Sequence, residues 1–312
     1  MSYYFNELIS NHPIRRKQRD KDLFIDYIEK EAKNLNYEVI VDKKAEHKNI
    51  IIGNVKTAEV IFTAHYDTPP KSIIPNLMLP RNPKIAKMYS IGFFTVLALL
   101  ALLVSYVICN IFELKREVFA IIYLVLYFAS TYLLFRLFDN KNNYNDNTSG
   151  VATVLELMKI TSNDINKKTA FILFDNEENG MKGSKYLVKE NPNINNKIII
   201  NLDCVGNGNN FIFICKDKAF DSVVLNKFKN YLLNLGEDKN YKYLFYGMNG
   251  SFSNSDYKSF DKGIGVMACI KGKGKIIKYF TPRIHTKKDT VVTDDNIVKL
   301  ANDLKRGIID EL

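Results

Sequence analysis

Several residues of types that bind metal ions stand at the ends of strand-like apolar runs in this sequence. The run "IFTAHYD" ends in His65 and Asp67, and "FILFDNEE" leads to Glu177 and Glu178. The full set of candidates is His65, Asp67, Asp146 in "NDNTSG", Glu177, Glu178, Asp203 after "IIINL" and His285 after "YFTPRI". Ligand sites of α/β sheets lie at the carboxyl ends of strands, so these runs predict one shared site.

Each candidate also has an ordinary explanation when it is taken alone. An acid at a strand end is most often a turn residue, Asp146 fits a helix N-cap, and a lone histidine is more often structural. However, the sequence has four histidines, and two of them, His65 and His285, belong to this pattern. The combination therefore favours a functional site.

The donor types are those of a site for divalent zinc, with manganese or cobalt as alternatives. Asp146 carries two carboxylate oxygens and is able to bridge two ions about 3.5–4 Å apart. His65 and Asp67 project to the same face of a strand, so Asp67 is placed to orient His65. Glu177 and Glu178 are neighbours whose side chains diverge, so one can bind metal while the other serves as a general base.

Strand-like and helical patterns alternate along much of the chain. Apolar runs predict strands at residues 37–41, 49–55, 58–64, 168–175, 196–203, 210–215 and 263–270. Amphipathic patterns predict helices that include residues 15–36, 151–160 and 219–236. This alternation indicates an α/β domain with a largely parallel central sheet.

Two long uncharged runs interrupt the α/β pattern. Residues 88–112 and 118–135 contain no charged side chain, and only "ELKRE" separates them. A spanning helix needs about 20 mainly apolar residues, so the runs predict a transmembrane helical hairpin at residues 88–138. A pair of buried core helices is the weaker alternative, because such helices are shorter and keep a polar stripe. We expect an anchor rather than a substrate channel, since neither span has a charged residue in its interior.

A hairpin returns the chain to the side that it left, so residues 1–87 and 139–312 are expected to form one discontinuous domain. Basic residues near the spans predict the orientation. The domain end offers Arg81, Lys84, Lys87, Arg136 and Lys141, whereas the loop offers Lys115 and Arg116 beside two glutamates. We therefore expect a protein of the cell membrane with two spans, and with the domain and both termini in the cytoplasm.

The composition excludes some other classes of protein. The formal net charge is +10, but the lysines are spread along the chain and no zinc finger or RNP motif appears, so nucleic acid is not an expected partner. The four cysteines form no C-x-x-C pair, which argues against a disulfide framework or a thiolate metal site. The excess of positive charge is better explained by an interaction with an acidic membrane surface.

The segments "AHYD", "NDNTSG", "FDNEENGMKGS", "NLDCVG", "SDY" and "HTKKDT" occur in the order that is typical of the M28 metallopeptidases. Through them nearly the whole soluble part of the chain resembles this family of zinc aminopeptidases. The resemblance implies a three-layer α/β sandwich with a mixed, mostly parallel central sheet, and it implies two zinc ions per chain.

The resemblance also implies a set of metal ligands, carried over motif by motif. His65 and Asp203 would bind one zinc ion, and Glu178 and His285 would bind the other. Asp146 would bridge the two ions.

Three further roles follow from the same motifs. Glu177 would be the general base, and Asp67 would orient His65. Tyr257 of "SDY" would donate a hydrogen bond to the developing oxyanion, with packing as its alternative role. In many family members the connection between the first ligand pair and the bridging aspartate is short, whereas here it contains the hairpin, so we expect the active site to lie close to the bilayer.

The expected function is that of a membrane-anchored dinuclear zinc aminopeptidase, whose partners are peptide substrates and the lipid bilayer. A carboxypeptidase or dipeptidase of the same family and a catalytically inactive membrane scaffold are the alternatives. A glutaminyl-cyclase-like activity is disfavoured, because all five expected ligands are present and the sequence has no tryptophan. The sequence leaves the oligomeric state and the side-chain preference open.

Overall fold

The strand-like runs of the sequence form a nine-stranded sheet in the computed structural model of the chain. The structure describes residues 2–44, 46–162, 168–236, 238–251, 253–274, 276–293 and 295–312. The strands are β1 (Val39–Lys44), β2 (His47–Ile52), β3 (Val60–His65), β4 (Pro70–Lys71), β5 (Phe138–Asp139), β6 (Thr169–Phe174), β7 (Ile198–Leu202), β8 (Asn210–Cys215), β9 (Lys242–Gly247), β10 (Gly263–Lys271) and β11 (Tyr279–Phe280).

The large sheet has the order β1-β2-β6-β3-β7-β10-β8-β9, with β11 beside β10 and with β4 and β5 paired separately. Its centre is parallel, because β6, β3, β7 and β10 run in one direction. The β1–β2, β2–β6 and β8–β10 pairs are antiparallel. The predicted mixed, mostly parallel sheet is therefore confirmed.

The central strands are buried on both faces, which explains their continuous apolar sequences. Every residue of β3, β6, β7 and β8 is buried. Side chains alternate between two cores along each strand. In β3, for example, Phe62 and Ala64 belong to the larger core, whereas Ile61 belongs to a core on the opposite face.

Helices cover both faces of the sheet and complete the predicted three layers. The helices are α1 (Tyr3–Asn11), α2 (Gln18–Asn34), α3 (Pro83–Ile111), α4 (Arg116–Phe135), α5 (Gly150–Thr161), α6 (Lys182–Glu190), α7 (Asp217–Phe220), α8 (Val223–Leu235) and α9 (Asn296–Gly307). The larger core contains side chains of α1, α2, α5, α8 and α9, whereas Leu187 of α6 belongs to the core on the other face.

The two uncharged runs form the antiparallel helices α3 and α4. Their most apolar windows have mean hydropathies of 2.6 and 2.2, and by length and composition both helices are able to cross a membrane. Only 17% of the α3 window and none of the α4 window is buried. Such a large exposed apolar surface is unusual for a soluble protein. Helix α3 begins at Pro83, earlier than the predicted start of the span at residue 88.

The base of the hairpin contacts the rest of the chain at several places, one of which is a short pair of strands. Strands β4 and β5 pair in antiparallel fashion, with Pro70 opposite Asp139. The Asp139 carboxylate lies 2.8 Å from Nη1 of Arg16 and 2.9 Å from Nζ of Lys17. The segment before α3 and the segment after α4 are therefore joined to each other by β4 and β5.

Candidate metal centre

The parallel register of the central strands brings their carboxyl ends together. Strand β3 lies between β6 and β7, and its last residue, His65, is paired with Phe174 at the end of β6. Glu177 follows β6 after two residues, and Asp203 directly follows β7. Three of the predicted site residues therefore lie at one edge of the sheet, as their positions after strands predict.

The Asp146 carboxylate lies between the two predicted histidine ligands. Nε2 of His65 is 3.4 Å from Oδ1 of Asp146 and 3.7 Å from Oδ1 of Asp203. Nε2 of His285 is 3.0 Å from Oδ2 of Asp146 and 3.4 Å from Oε1 of Glu178. The five side chains thus form two donor groups that share Asp146, and each of its oxygens faces a different group.

The charges of this cluster are crowded. Oδ1 of Asp203 is buried without a hydrogen-bond partner among the described residues. Burial raises the pKa of Glu178 to about 8, with His285 opposing the rise and Asp146 adding to it. Burial alone would lower the pKa of His285, but Glu178 and Asp146 raise it to about 9. Cations stabilise crowded carboxylates, so this electrostatic environment suits divalent metal ions.

Backbone contacts fix the turn that presents Asp146. The Asp289 carboxylate accepts hydrogen bonds from the N–H groups of Asn145 at 3.2 Å and Asp146 at 3.1 Å. The Asn147 amide oxygen accepts one from the N–H of Cys204 at 3.2 Å, and the peptide bond between Asp146 and Asn147 is cis. The turn before α5 is therefore held against the loops that carry Asp203 and His285.

The Asp67 carboxylate holds the loop that carries the two glutamates. Its Oδ1 accepts a hydrogen bond from the N–H of Glu177 at 3.0 Å, and its Oδ2 accepts one from the N–H of Glu178 at 3.1 Å. Oδ1 also lies 3.6 Å from Nδ1 of His65, which is closer to the Asp67 carbonyl oxygen, at 3.1 Å. The Asp67 carboxylate thus lies near His65 and is hydrogen-bonded to the backbone of both glutamates, and its role in orienting His65 stays a prediction.

A cavity of about 770 Å³ lies over these side chains. It is lined by His65, Asp146, Glu177, Glu178, Asp203 and His285, together with residues 76–79 and the first turns of α3. Burial raises the pKa of Glu177 well above its usual value, with His65 opposing the rise and Glu178 adding to it. Glu177 therefore shares a cavity with both donor groups and has the environment of a residue that exchanges protons.

A comparison with known families shows to which family this chain belongs. The model of peptidase family M28 matches residues 138–304, which is just over half of the chain and includes four of the five donor residues. The chain belongs to peptidase family M28. A search of curated proteins gives no match.

Solved structures with the same fold include enzymes of more than one activity. A glutaminyl cyclase of Porphyromonas gingivalis superposes with a TM-score of 0.64 at 14% identity, over 99% of this chain and 96% of that chain. A Zn-dependent exopeptidase of Parabacteroides distasonis gives 0.58 at 16% identity, over 96% and 94%. A leucine aminopeptidase precursor of Bacteroides thetaiotaomicron gives 0.60 at 13% identity, over 99% and 95%.

Two predicted residues of this M28 site, Asp67 and Tyr257, do not line the cavity. Tyr257 is fully buried, and its hydroxyl donates a hydrogen bond to the carbonyl oxygen of Ser253 at 3.2 Å. Tyr257 belongs to a small hydrophobic cluster that includes Ile212 and Met267. The structure therefore gives Tyr257 the alternative packing role, and the contact with a substrate oxyanion stays a prediction.

The neighbouring Asp256 belongs to the surroundings of the M28 site, although sequence reasoning did not select it. It is fully buried, and neither carboxylate oxygen has a hydrogen-bond partner among the described residues. Burial raises the pKa of Asp256 to about 7, although His65 opposes this effect. Its position in "SDY", directly before Tyr257, was the available signal.

Arg15 is a second residue that sequence reasoning missed. Its side chain is fully buried, and Nε donates to the carbonyl oxygen of Tyr66 at 2.6 Å. Nη1 donates to the carbonyl oxygen of His12 at 2.6 Å, and Nη2 donates to Oγ1 of Thr148 at 3.0 Å. The guanidinium thus links the loop after β3 to the turn that carries Asp146. No local motif signals this role.

Proposed function

We propose that this M28 chain is a membrane-anchored dinuclear zinc aminopeptidase. The observation that carries the proposal is the position of Asp146, whose two oxygens each face a different histidine. The exopeptidase and aminopeptidase structures of the same fold support the choice of reaction. The identities to them are low, so the proposal rests mainly on the chain's own site.

The donor set fits two zinc ions. His65, Asp203 and one oxygen of Asp146 would hold one ion, and His285, Glu178 and the other oxygen would hold the second. The buried, unpartnered Oδ1 of Asp203 supports this assignment, because a buried carboxylate oxygen needs a cation or a donor. When bound, zinc lowers the pKa of water and polarises a carbonyl group.

Glu177 is the residue that we assign to proton transfer. Its carboxylate takes a proton from the attacking water and then delivers it to the amine of the leaving group. Asp67 keeps Glu177 in place through the backbone N–H bond, so its role is positioning. The substrate's α-ammonium group would be attracted to the acidic side chains of the same cavity.

We also propose that helices α3 and α4 anchor the enzyme in a membrane. The peptidase domain would consist of residues 1–87 and 139–312, interrupted by the hairpin. Basic residues at the domain end, such as Arg81, Lys84 and Arg136, support a cytoplasmic orientation. Labelling of an introduced cysteine at Leu114, in the hairpin loop, tests the orientation: a membrane-impermeant reagent should reach it from outside intact cells.

A glutaminyl cyclase is the second candidate function, because enzymes with that activity share the fold over nearly the whole chain. A carboxypeptidase or dipeptidase and an inactive scaffold are the remaining alternatives. Assays with free N-terminal, blocked N-terminal and N-terminal glutaminyl peptides separate these activities. Cleavage of blocked peptides from the carboxyl end, or cyclisation without cleavage, would contradict the aminopeptidase assignment.

The deciding experiment compares the purified wild-type protein with the Glu177→Ala variant. A peptide library should lose N-terminal residues with the wild type, and the variant should keep about two zinc ions per chain while losing most turnover, about 10²–10⁴-fold. Equal rates would remove Glu177 as the base. Zinc well below one ion per chain, together with no peptidase activity in the wild type, would favour the scaffold.

A further inference from the structure

The cavity that contains the candidate metal centre has a basic wall as well as an acidic one. The wall comes from the first two turns of α3, whose lining residues are Pro83, Lys84, Ala86, Lys87 and Ser90. Positions three and four residues apart lie on the same face of a helix. One face of the first helix of the hairpin therefore borders the site directly.

Lys84 and Lys87 give this wall its charge. Both residues line the cavity and are exposed to solvent. None of the ion pairs among the described residues involves either ammonium group. Two positive charges thus share a cavity with Glu177, Glu178 and Asp203 without being neutralised by a direct partner.

We propose that Lys84 and Lys87 bind a carboxylate of a short peptide substrate, on the leaving-group side of the bond that is cleaved. This inference rests on the proposed aminopeptidase function and names its substrate class. A dipeptide or tripeptide carries an ammonium group at one end and a carboxylate about 7–10 Å away at the other. The lysines repel the ammonium group and attract the carboxylate, so the basic and acidic walls of the cavity together orient the peptide.

The size of the cavity supports a short substrate. A volume of about 770 Å³ lies in the range of sites for small ligands, roughly 300–1,000 Å³. Leu77 and Leu79 line the same cavity and offer apolar contacts to a side chain of the peptide. Lysines close to a membrane also attract lipid phosphates. We assign this pair to the substrate because both side chains line the same cavity as the candidate catalytic residues.

The test compares Leu-Ala with Leu-Ala amide, which lacks the terminal charge. The wild-type enzyme should prefer the acid about 3- to 30-fold in kcat/KM, mainly through KM, since each exposed ion pair contributes modestly. The double variant Lys84→Gln/Lys87→Gln should reduce this ratio to about 1–3. The control variant Lys141→Gln changes an exposed lysine that follows the hairpin and does not line the cavity, so it should keep the wild-type ratio.

Two further measurements extend the test. One distinguishes a terminal carboxylate from a side-chain carboxylate, and the other measures binding without turnover. Leu-Asp amide carries the carboxylate on a side chain, and a preference for Leu-Ala over it assigns the lysines to the chain terminus. Equal preference assigns them to either carboxylate, which still supports the proposal.

Binding of the acid and the amide to the Glu177→Ala variant, measured by calorimetry, should show the same ratio. The ratio should also fall as salt screens the charges.

The outcomes distinguish this inference from the function on which it rests. If the wild-type enzyme cleaves neither Leu-Ala nor its amide, the proposed function fails and the inference fails with it. If it cleaves both equally well, or if the double variant keeps the preference, only the inference is overturned. Inhibition by glycerol phosphate that exceeds inhibition by acetyl-alanine would assign the lysines to lipid headgroups instead.

Discussion

Replacement of Asp67 by asparagine tests whether this residue holds the site together. In the structure, its two carboxylate oxygens accept one backbone N–H each, from Glu177 at 3.0 Å and from Glu178 at 3.1 Å. Asparagine has nearly the same shape but only one acceptor oxygen. Its NH₂ group would face one of the two N–H donors, so one charge-assisted hydrogen bond is lost and a donor is left unpaired.

The magnitude follows from that single bond. A hydrogen bond to a charged group contributes about 1.5–3 kcal/mol. Since about 1.4 kcal/mol corresponds to a factor of ten, a loss of this size predicts a fall in kcat/KM of roughly 10- to 150-fold. Substitutions that remove a contact to a metal ligand have similar effects, about 10–100-fold in affinity or activity.

The assay measures kcat/KM on a leucyl peptide together with zinc content and thermal stability. Asp67→Asn should lower activity and zinc affinity, because both glutamates move when their loop loses its anchor. Asp261→Asn is the matched control, since Asp261 forms an exposed ion pair with Lys218 and should leave activity near the wild-type value. Wild-type activity and zinc binding in Asp67→Asn would refute the positioning role.

Four other outcomes are expected. Tyr257→Phe should keep activity within about threefold of wild type in the same kinetic assay, because its buried hydroxyl donates to the carbonyl oxygen of Ser253 and Tyr257 does not line the cavity. A hundredfold loss would instead support a catalytic role for Tyr257. Arg15→Met should lower the free energy of unfolding by about 2–5 kcal/mol in a denaturant titration, because buried acceptors lose their donor, and unchanged stability would contradict this. Gly150→Ala should reduce zinc content, since a Cβ atom at this position would overlap the carbonyl oxygen of Leu202. Full zinc occupancy in this variant would argue against tight packing around Gly150. Dialysis against a chelator should abolish peptidase activity and added zinc should restore it, whereas activity that survives metal removal would contradict the metal mechanism.

The sheet and the site could be predicted from the sequence because both follow from local patterns. Strands that are buried on both faces need continuous apolar runs, and β3, β6 and β7 have them. Parallel strands bring their carboxyl ends to one edge, so His65 and Asp203 were predictable neighbours without any knowledge of distances.

Helices whose ends depend on tertiary contacts were harder to predict. Helix α1 was not predicted, since nine residues form a marginal helix without the packing of Tyr4, Phe5 and Leu8 against the larger core. The helix predicted at residues 219–236 is confirmed over α8, which ends before Gly236, but its start is wrong, because the structure has a separate short helix, α7, before Ser222. The Ser222 side chain accepts a hydrogen bond from the N–H of Leu225 and caps the second helix.

Residues that act only through distant partners could not be identified from spacing. Asp289 contacts Asn145 and Asp146 across more than 140 positions of sequence. The Arg15 side chain reaches Thr148 across 133 positions. Neither contact leaves a periodic pattern, because each depends on how three or more elements pack together.

Helices α3 and α4 lie between His65 and Asp146 in the sequence, yet Nε2 of His65 is 3.4 Å from Oδ1 of Asp146. Pro70, three residues after Asp67, pairs with Asp139, seven residues before Asp146. Between Pro70 and α3 the chain stays in contact with the rest of the fold, since the carbonyl oxygen of Met78 accepts a hydrogen bond from the N–H of Thr281 at 3.1 Å. The first turns of α3 then extend back over the site and line its cavity. The position of α3 between His65 and Asp146 in the sequence thus brings Lys84 and Lys87 to the cavity of the candidate metal centre, and under the proposed anchoring the same helix would hold this cavity close to the membrane.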